Sequence, residues 1–572
     1  MQAEKIKGIP AFKSAVYGGL GIDKYGNGAK GALTKASELE FAEGAFVKAR
    51  QGRKTVKRLA DAQGVACDGT LAYVDGGRLY YGGDEIEGVY LSEGEKTLLR
   101  VGGYLLVFPD GIFVDLASGE TGRLAFTVSA PYARMVTVDR QGNELDHGSG
   151  TRLPDTAAAG EYFALQGSDG AFKMKRYNGV YWSDEQCFIK IEGQGLGATA
   201  RVGDTLRIEG AQVLGSTVTV VGKEPDAIFC EGVISGETIT LGSVTLCREI
   251  PVFDLVTVSG GRVCGVRRGR DGYGEIVCRM YVSAPFDPFN FLPEGGGAML
   301  DLDLSGEFTA VADRDGEPLA FTEGELIEAR VRGGVLSATV IKTLGTVKGA
   351  HKSVCCADGD VYYLSPEGIC VYDGSYPRLI SGGLGRTLPT DGSAAVLSRG
   401  RYRVSVMLDG QKCLAVYSVG DRRFLTESDP GALTLFKHRE NAYALCKDGR
   451  IVLLDTGRAE ETEYLADEAE PEGDFGFILE SAPFGELGGS VCPIRLTLDV
   501  KKPEGAPLSA GLLYGDGQTC MTEITERVDG QICVPVALKR DGSFKVRLEG
   551  RGECLIRGYC VEMRREGAVL WK

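Results

Sequence analysis

The stretch Val361-Tyr-Tyr-Leu-Ser-Pro-Glu-Gly-Ile-Cys-Val-Tyr372 decides the fold class of this chain. Two runs of four apolar or aromatic residues flank the turn sequence Ser365-Pro-Glu-Gly368. Valine, isoleucine and tyrosine favour strands, and a short proline- and glycine-containing turn between two such runs favours a hairpin. The stretch therefore predicts two short antiparallel strands joined by a tight turn.

The same pattern recurs along the chain, closed each time by a similar turn. Leu71-Ala-Tyr-Val precedes Asp75-Gly-Gly, and Tyr443-Ala-Leu-Cys precedes Lys447-Asp-Gly-Arg. Asp-Gly occurs fourteen times and Asn-Gly twice. These dipeptides favour the positive φ angles of two-residue hairpin turns. The turn density predicts an all-β protein, and only the region from Gly31 to Ala45 reads as weakly helical.

Several hairpin units resemble one another, which is typical of a β-propeller. The similar units lie at residues 64–83, 102–116, 358–381, 401–425 and 433–457, with further blades predicted between 252 and 340. Two stretches differ, because their strands alternate more regularly: Ile494, Leu496, Leu498 and Val500, for example, are predicted on one face. We therefore predict a β-propeller with an inserted small β-barrel or sandwich and a C-terminal antiparallel β-sandwich. The predicted divisions are an N-terminal arm at 1–55, the first blades at 56–124, the insert at 125–250, the remaining blades at 251–472 and the C-terminal sandwich at 473–572.

Composition excludes several classes of protein. The 572 residues include 83 glycines, 43% hydrophobic and 25% charged residues, so the chain is neither disordered nor fibrous. The net charge of −15 argues against a general nucleic-acid binder. No apolar run is long enough for a membrane span, and the N-terminus lacks the apolar core of a signal peptide. The 16 cysteines lie mostly in apolar alternation and are interpreted as small buried hydrophobes in a reducing compartment.

No motif predicts catalysis or a cofactor. The three histidines are His147, His351 and His438, and each reads better as a turn or surface residue than as a catalytic one. There is no Cys-x-x-Cys pair, phosphate loop or nucleophile elbow, so neither a metal nor a cofactor is expected. A carboxylate pair for glycoside hydrolysis stays open, because its spacing is set by the fold and not by the sequence. We expect a protein that is not an enzyme.

Two groups of residues are candidates for binding. Lys48, Arg50, Arg53 and Lys54 form a basic run in an acidic chain; they are either a solvated loop or contacts to another subunit. Tyr177, Tyr181 and Trp182 are a possible aromatic platform for a ligand, although such a cluster is more often part of a core.

Four stretches together resemble a group of phage structural proteins, the tail nozzle or tail stabilisation-type proteins. They begin at Gly18-Gly-Leu-Gly with the run to Arg53, at Tyr281-Val-Ser-Ala-Pro-Phe-Asp-Pro-Phe-Asn-Phe, at Leu344-Gly-Thr-Val with the run to Ser381, and at Arg540-Asp-Gly-Ser-Phe. The third is the most specific, and the fourth lacks a histidine before Phe544. The likeness spans most of the chain.

The resemblance implies a virion structural protein of the tail or neck, assembled in the host bacterial cytoplasm. Its partners would be other copies of itself in a ring, neighbouring tail or neck proteins, and DNA that passes without being bound specifically. It implies no catalytic residues. Two alternatives remain: a propeller at the tail tip that binds a receptor or host surface glycan, and a polysaccharide-degrading propeller enzyme.

Overall fold

The computed structural model describes residues 11–16, 21–25, 31–42, 46–211, 214–236, 238–270, 273–390, 392–456, 470–485 and 489–566. These residues form 55 strands and three single-turn 3-10 helices, at Pro293–Gly295, His351–Ser353 and Gly382–Leu384. Within the described ranges, none of the helices has the length and apolar content needed to cross a membrane. The predicted fold class, a β-propeller with an inserted β-domain and a C-terminal β-sandwich, is confirmed.

The first described strands belong to the C-terminal sandwich. These strands are β1 Ala11–Val16, β2 Gly21–Ile22, β3 Ala32–Ser37, β4 Leu39–Glu40 and β5 Val47–Ala49. The weak helical pattern over Gly31 to Ala45 was wrong for its described residues, because β3 and β4 occupy them. Leu33 and Ala36 of β3 are fully buried in the sandwich core, so tertiary packing overrides the loose helical spacing.

The propeller follows as four-stranded antiparallel meanders. Strand β6 Lys54–Arg58 precedes two blades, which are β7 Ala62–Asp68, β8 Thr70–Asp75, β9 Arg78–Tyr81 and β10 Asp84–Glu85, and then β11 Thr97–Val101, β12 Tyr104–Phe108, β13 Ile112–Asp115 and β14 Thr121–Arg123.

The insert interrupts the propeller after its second blade. Eight strands, β15 Phe126–Ala130, β16 Ala133–Val138, β21 Phe188–Glu192, β22 Thr205–Glu209, β23 Thr217–Glu224, β24 Ala227–Glu231, β25 Thr238–Leu241 and β26 Val244–Arg248, pair in the order β15-β26-β22-β23-β24-β21-β16-β25. All eight contribute to one apolar core, so the sheet curls around it as a small barrel. A second sheet of four strands lies between β16 and β21: β17 His147–Gly150, β18 Tyr162–Gln166, β19 Phe172–Tyr177 and β20 Trp182–Asp184.

Five more blades complete the propeller. The third blade consists of β27 Leu255–Ser259, β28 Arg262–Arg270, β29 Ile276–Val282 and β30 Ala298–Leu302, and the fourth of β31 Ala310–Arg314, β32 Glu317–Phe321, β33 Glu325–Arg332 and β34 Val335–Lys342. The fifth consists of β35 Cys355–Ala357, β36 Asp360–Ser365, β37 Gly368–Tyr372 and β38 Arg378–Leu379, and the sixth of β39 Thr387–Pro389, β40 Ala395–Ser398, β41 Arg401–Leu408, β42 Gln411–Ser418 and β43 Arg423–Ser428. The seventh contains β44 Ala432–His438, β45 Asn441–Cys446 and β46 Arg450–Leu453. Their hairpin turns follow the dipeptide chemistry: Asp358 and Gly359 both have positive φ, at 52° and 79°.

The described residues close a ring of seven blades. The inner strands β7, β11, β27, β31, β35, β40 and β44 contact one another in that order, and β44 contacts β7. The last blade has only three strands of its own, and β6 pairs antiparallel with β46 as the fourth. The N-terminal side of the chain therefore fastens the last blade to the first.

The sandwich has two sheets around one core. Its C-terminal strands are β48 Gly476–Ser481, β49 Phe484–Gly485, β50 Ser490–Lys502, β51 Leu508–Tyr514, β52 Thr519–Ile524, β53 Val528–Val534, β54 Ser543–Arg551 and β55 Leu555–Glu566, while β47 Glu470–Pro471 pairs with β6. One sheet has the order β4-β5-β55-β50-β53, with β1 also on β55, and the other contains β3-β48-β54-β51-β52. The predicted alternation holds for Leu496, Leu498 and Val500, which are buried. It was wrong for Ile494, because a bulge between Pro493 and Arg495 shifts the register there.

The segment predicted as an arm at 1–55 is not a free arm in its described part. Strand β1 pairs with β55 along its length, β3 pairs with β48, and β5 pairs with β55. Residue Ser37 of β3 also bridges Thr426 of β43, so the sandwich sheet continues into a propeller blade. The first described strands therefore complete the sandwich before the chain enters the propeller.

Candidate functional site

A funnel opens at the centre of the propeller, where the inner strands begin. It is a cavity of about 750 Å³, which is within the size range of small-molecule sites. Apolar side chains from the inner strands and their approaches form much of its wall, among them Val65, Leu98, Leu255, Val311, Val354 and Leu435. The segments that lead into and out of the insert, at 123–125 and 250–254, border the same cavity.

Two ion pairs brace the funnel. The ammonium of Lys96 lies 2.8 Å from Asp110 and donates to the Ser92 hydroxyl at 2.7 Å, and its side chain is fully buried. The Lys352 ammonium lies 2.5 Å from Glu95 and donates to the Leu433 carbonyl at 3.0 Å. Because Lys352 precedes β35 while its partners precede β11 and lie on β44, this lysine joins separate blades across the funnel.

The pKa values of two ionisable groups in the funnel, Asp110 and His351, are shifted by their surroundings. Burial would raise the pKa of Asp110, but the hydrogen bonds from Lys96 and Ser92 hold it below its usual value. Burial and the neighbouring Lys352 lower the pKa of His351, so its imidazole is neutral near neutral pH. Asp110 is therefore ionised and has the wrong pKa for a general acid.

Arg50 and Arg53, predicted to lie in a solvated loop or to contact another subunit, are instead buried within their own chain. Arg50 donates to both carboxylate oxygens of Glu472, at 2.7 and 2.8 Å, and Arg53 lies 3.0 Å from Glu427. Lys48 is paired with Glu40 at 2.7 Å, and Lys54 lies within β6. Lys48, Arg50 and Arg53 thus meet acidic groups of their own chain, and the two arginines are only 6% and 4% exposed.

These arginines belong to a larger buried network, here named the arginine knot. Its centre is Glu427, which accepts from Arg53 and Arg403, while Arg403 also donates to Asp455 at 2.6 Å. The complete knot consists of Arg50, Arg53, Arg403, Glu38, Glu427, Asp455 and Glu472. Burial alone would raise the pKa of Glu427, yet the guanidinium groups around it hold that pKa at about 2. The knot lies where the chain passes from the sandwich to the propeller and back again.

A second buried network, here named the insert clamp, joins the insert to the propeller. It consists of Arg201, Asp204, Arg248, Phe289 and Asn290. Arg248 donates to both carboxylate oxygens of Asp204, at 2.9 and 2.8 Å, and the Phe289 ring lies 4.7 Å from Arg248 and 4.5 Å from Arg201. The Asn290 side chain accepts from the Thr205 amide and donates to the Gly203 carbonyl. The Asp-Pro-Phe-Asn turn that the sequence singled out therefore fixes the insert in place.

The structure brings together two of the three predicted platform aromatics and adds one. The ring centroids of Tyr177 and Trp182 are 5.3 Å apart, and Phe163 lies 6.1 Å from Trp182 on the other side. Tyr181 is 62% exposed at the adjoining hairpin tip. Phe163 was missed because it lies on another strand; its signal was the aromatic pair Tyr162-Phe163 in a short alternating run.

One cysteine–histidine contact exists that the sequence did not predict. The Cys67 sulfur lies 2.8 Å from Nδ1 of His438, between the first and last blades. Burial raises the pKa of Cys67 to about 11 and lowers that of His438. Both groups are therefore neutral near neutral pH, which does not fit a thiolate nucleophile. The described cysteines are unpaired, and no group of three or more metal-ligating side chains occurs in the described ranges.

Comparison with known proteins gives distant structural likenesses. No family model and no curated protein matches the chain. Among solved structures, a protein titled glycoside hydrolase has a TM-score of 0.19 at 11% identity, covering 53% of this chain and 96% of its own. A puromycin-hydrolysing peptidase of Mycobacterium tuberculosis has a TM-score of 0.22 at 12% identity, over 72% of this chain and 56% of its own length. An exo-β-1,3-galactanase of Phanerochaete chrysosporium has a TM-score of 0.11 at 8% identity, over 76% and 100%. These values are too low to support an inference about activity.

Proposed function

We propose that this chain is a non-enzymatic structural protein of a phage or prophage particle, a ring subunit in the tail or neck. The arginine knot is the observation that carries the proposal. The chain crosses between sandwich and propeller at residues 50–53 and again at 472–476, and the same buried ion pairs hold both crossings. The insert clamp fixes the third part in the same way. A body with its parts fixed to one another suits a subunit that positions neighbours in a symmetric assembly.

The funnel supports a role without catalysis. Its carboxylates are held by other groups of the chain: Asp110 is paired with Lys96, Glu95 with Lys352, and Asp254 accepts from the Arg268 amide at 2.7 Å. A glycosidase of the kind considered above needs one carboxyl with a raised pKa as general acid. The lowered pKa of Asp110 is opposite to that requirement. The net charge of −15 also suits a wall that lets DNA pass, since like charges repel.

The test is the mass of the protein, alone and in particles. Native mass measurement is expected to give closed oligomers at whole multiples of 61.0 kDa, and peptides of this chain are expected in purified tails from the producing bacterium. A monomer that never enters a particle would overturn the proposal. Incubation with bacterial cell-wall polysaccharides serves as the matched assay, because released reducing ends would contradict the non-enzymatic part.

The alternative function, receptor or glycan binding at a tail tip, is favoured by one observation. The Trp182 ring packs against both Phe163 and Tyr177 in the sheet β17–β20, and all three rings are partly exposed.

A further inference from the structure

The four-stranded sheet β17–β20 has one face turned to the insert and one turned to solvent. Ala164 and Met174 are a cross-strand pair, and both are buried; Met174 packs in one apolar cluster with Leu145 and Cys187. Since neighbouring residues of a strand point to opposite faces, the residues beside them point outward. The strand register places Phe163 opposite Lys175 and Tyr177 opposite Trp182 on that outward face.

Three rings form a continuous row on the outward face, here named the aromatic row: Phe163, Trp182 and Tyr177. The Trp182 ring is inclined by 61° to Phe163 and by 48° to Tyr177, so the three rings do not lie in one plane. All three rings are partly exposed. At the edge of the row, β17 carries Gly148 and Gly150, and the Phe163 ring lies so close to both that a Cβ atom would come within 3.2 and 3.3 Å of it. The edge strand therefore places no side chain over the rings.

Charged groups lie directly beside the row. Lys175 and Asp184 face each other across β19 and β20, with 2.7 Å between the ammonium and a carboxylate oxygen. The Asp184 side chain is 75% exposed, and hydrogen bonding to Lys175 lowers its pKa, so it is ionised at neutral pH. Hydrogen-bond donors and acceptors are thus available at the border of the rings.

The hairpin tip next to the row is held in one conformation. The Asn178 side-chain oxygen accepts from the backbone amides of Val180 and Tyr181, at 2.9 Å each. These bonds close the turn and hold the backbone of Val180 and Tyr181 next to Trp182. A surface held in this way loses little conformational entropy on binding.

We propose that the aromatic row binds a glycan, a chain of pyranose sugars. A pyranose ring has apolar C–H faces, which pack on aromatic rings, and a rim of hydroxyl groups, which bond to carboxylate and ammonium groups. The outward face presents both kinds of group: the rings of Phe163, Trp182 and Tyr177, and the pair Lys175 and Asp184. A protein partner would have to bury the Lys175–Asp184 pair, which is costly unless the partner replaces its hydrogen bonds.

The proposal does not depend on the protein's place in a particle. It concerns binding alone, and no bond of the glycan is broken. If the glycan proposal is wrong, no glycan binding will be measured. If the proposed structural role is wrong, the native mass and the composition of particles will show it.

The two tryptophans of the chain, Trp182 and Trp571, allow a direct test. The variant Trp571→Phe leaves Trp182 as the only tryptophan, so its fluorescence reports on the aromatic row. The full-length variant is screened on an array of bacterial-surface and plant glycans, and each retained glycan is titrated while tryptophan emission is followed. We expect at least one glycan to bind with a saturable change in emission.

Variants then locate the site. Tyr177→Ala and Asp184→Ala are each expected to weaken the titrated binding at least tenfold. The control Tyr90→Ala removes another exposed tyrosine, outside the insert, and should leave binding unchanged. Circular dichroism of each variant establishes that the sheet is intact, and Tyr177→Phe is expected to retain binding.

Three outcomes would overturn the proposal. The first is that no glycan on the array binds. The second is that a glycan binds with no change in Trp182 emission and with equal affinity in the row variants and in Tyr90→Ala. The third is that the row variants abolish self-association in native mass measurement while glycan binding is unchanged, which would identify a second copy of this chain as the occupant.

Discussion

The arginine knot and the insert clamp both join parts of the chain through a buried carboxylate, but the pKa of that carboxylate is lowered in the knot and raised in the clamp. Both bury an Arg–carboxylate pair where two parts of the chain meet. In the knot the pKa of Glu427 is lowered to about 2, although burial opposes the change. In the clamp, burial raises the pKa of Asp204 above its usual value despite the bidentate contact with Arg248.

The difference lies in how many opposite charges each carboxylate meets. Glu427 interacts with Arg403, Arg53 and Arg50, so attraction exceeds the cost of burial. Asp204 has Arg248 as its charged hydrogen-bond partner, and nearby Asp287 adds repulsion. The aromatic rings around Arg248 exclude water further. A buried ion pair is therefore secured by additional charges and not by its own geometry alone.

The largest expected effect is loss of the knot's central carboxylate. Glu427→Gln leaves Arg403 and Arg53 with less compensation in a buried site, and we expect unfolding to become easier by about 3–5 kcal/mol. Denaturant unfolding measures this. The control Glu317→Gln removes the partner of Arg330 in a half-exposed pair and should cost no more than about 1 kcal/mol. Equal effects of the two variants would contradict the central place of Glu427.

The clamp is expected to respond less strongly. Asp204→Asn keeps the shape of the side chain and removes a charge whose cost of burial exceeds its attraction to Arg248, so we expect stability at neutral pH to change by less than about 1 kcal/mol. Limited proteolysis near residues 123–125 and 250–252 would report loosening of the insert. A loss of stability in Asp204→Asn as large as that in Glu427→Gln would contradict the difference proposed between the two networks.

The contributions of Glu427 and Asp204 to folding stability should change in opposite directions with pH. Glu427 has a lowered pKa, so its contribution is complete above the unfolded value of 4.5 and is lost as pH falls towards about 2. The stability gap between the natural protein and Glu427→Gln should narrow by about 1 kcal/mol between about pH 6 and about pH 3.5. Asp204 acts in the other direction: its raised pKa favours folding below 3.8, and this contribution is lost as pH rises through the folded-state pKa.

The smallest expected change in stability is for the Lys352–Glu95 ion pair of the funnel, in which Glu95 is about half exposed. Lys352→Met removes the partner of Glu95, and the expected loss of stability is about 0.5 kcal/mol. Thermal unfolding with Lys352→Arg as the matched charge-retaining variant measures it. A loss comparable to that of the knot would show that this lysine across the funnel is as important as the buried networks.

Turn chemistry and alternation made the all-β fold predictable, because both act over a few residues. The hairpin at Val361 to Tyr372 forms as β36 and β37, and the predicted units fall on blades. The pairings between distant residues were not predictable in the same way. Arg53 and Glu427 are 374 positions apart, and nothing near either residue identifies the other. A weak signal existed in Arg403, a charged residue between the apolar residues Tyr402 and Val404.

The sequence by itself determined that this chain folds into strands joined by tight turns, because φ preferences and two-residue alternation are local properties. Only the tertiary structure decided that the ring has seven blades in the described residues, that β6 closes it, and that the N-terminal strands complete the C-terminal sandwich. It also decided that Arg50 and Arg53 meet carboxylates of their own chain. Ring closure and ion pairing depend on which segments meet in space, and that follows from packing of the whole chain.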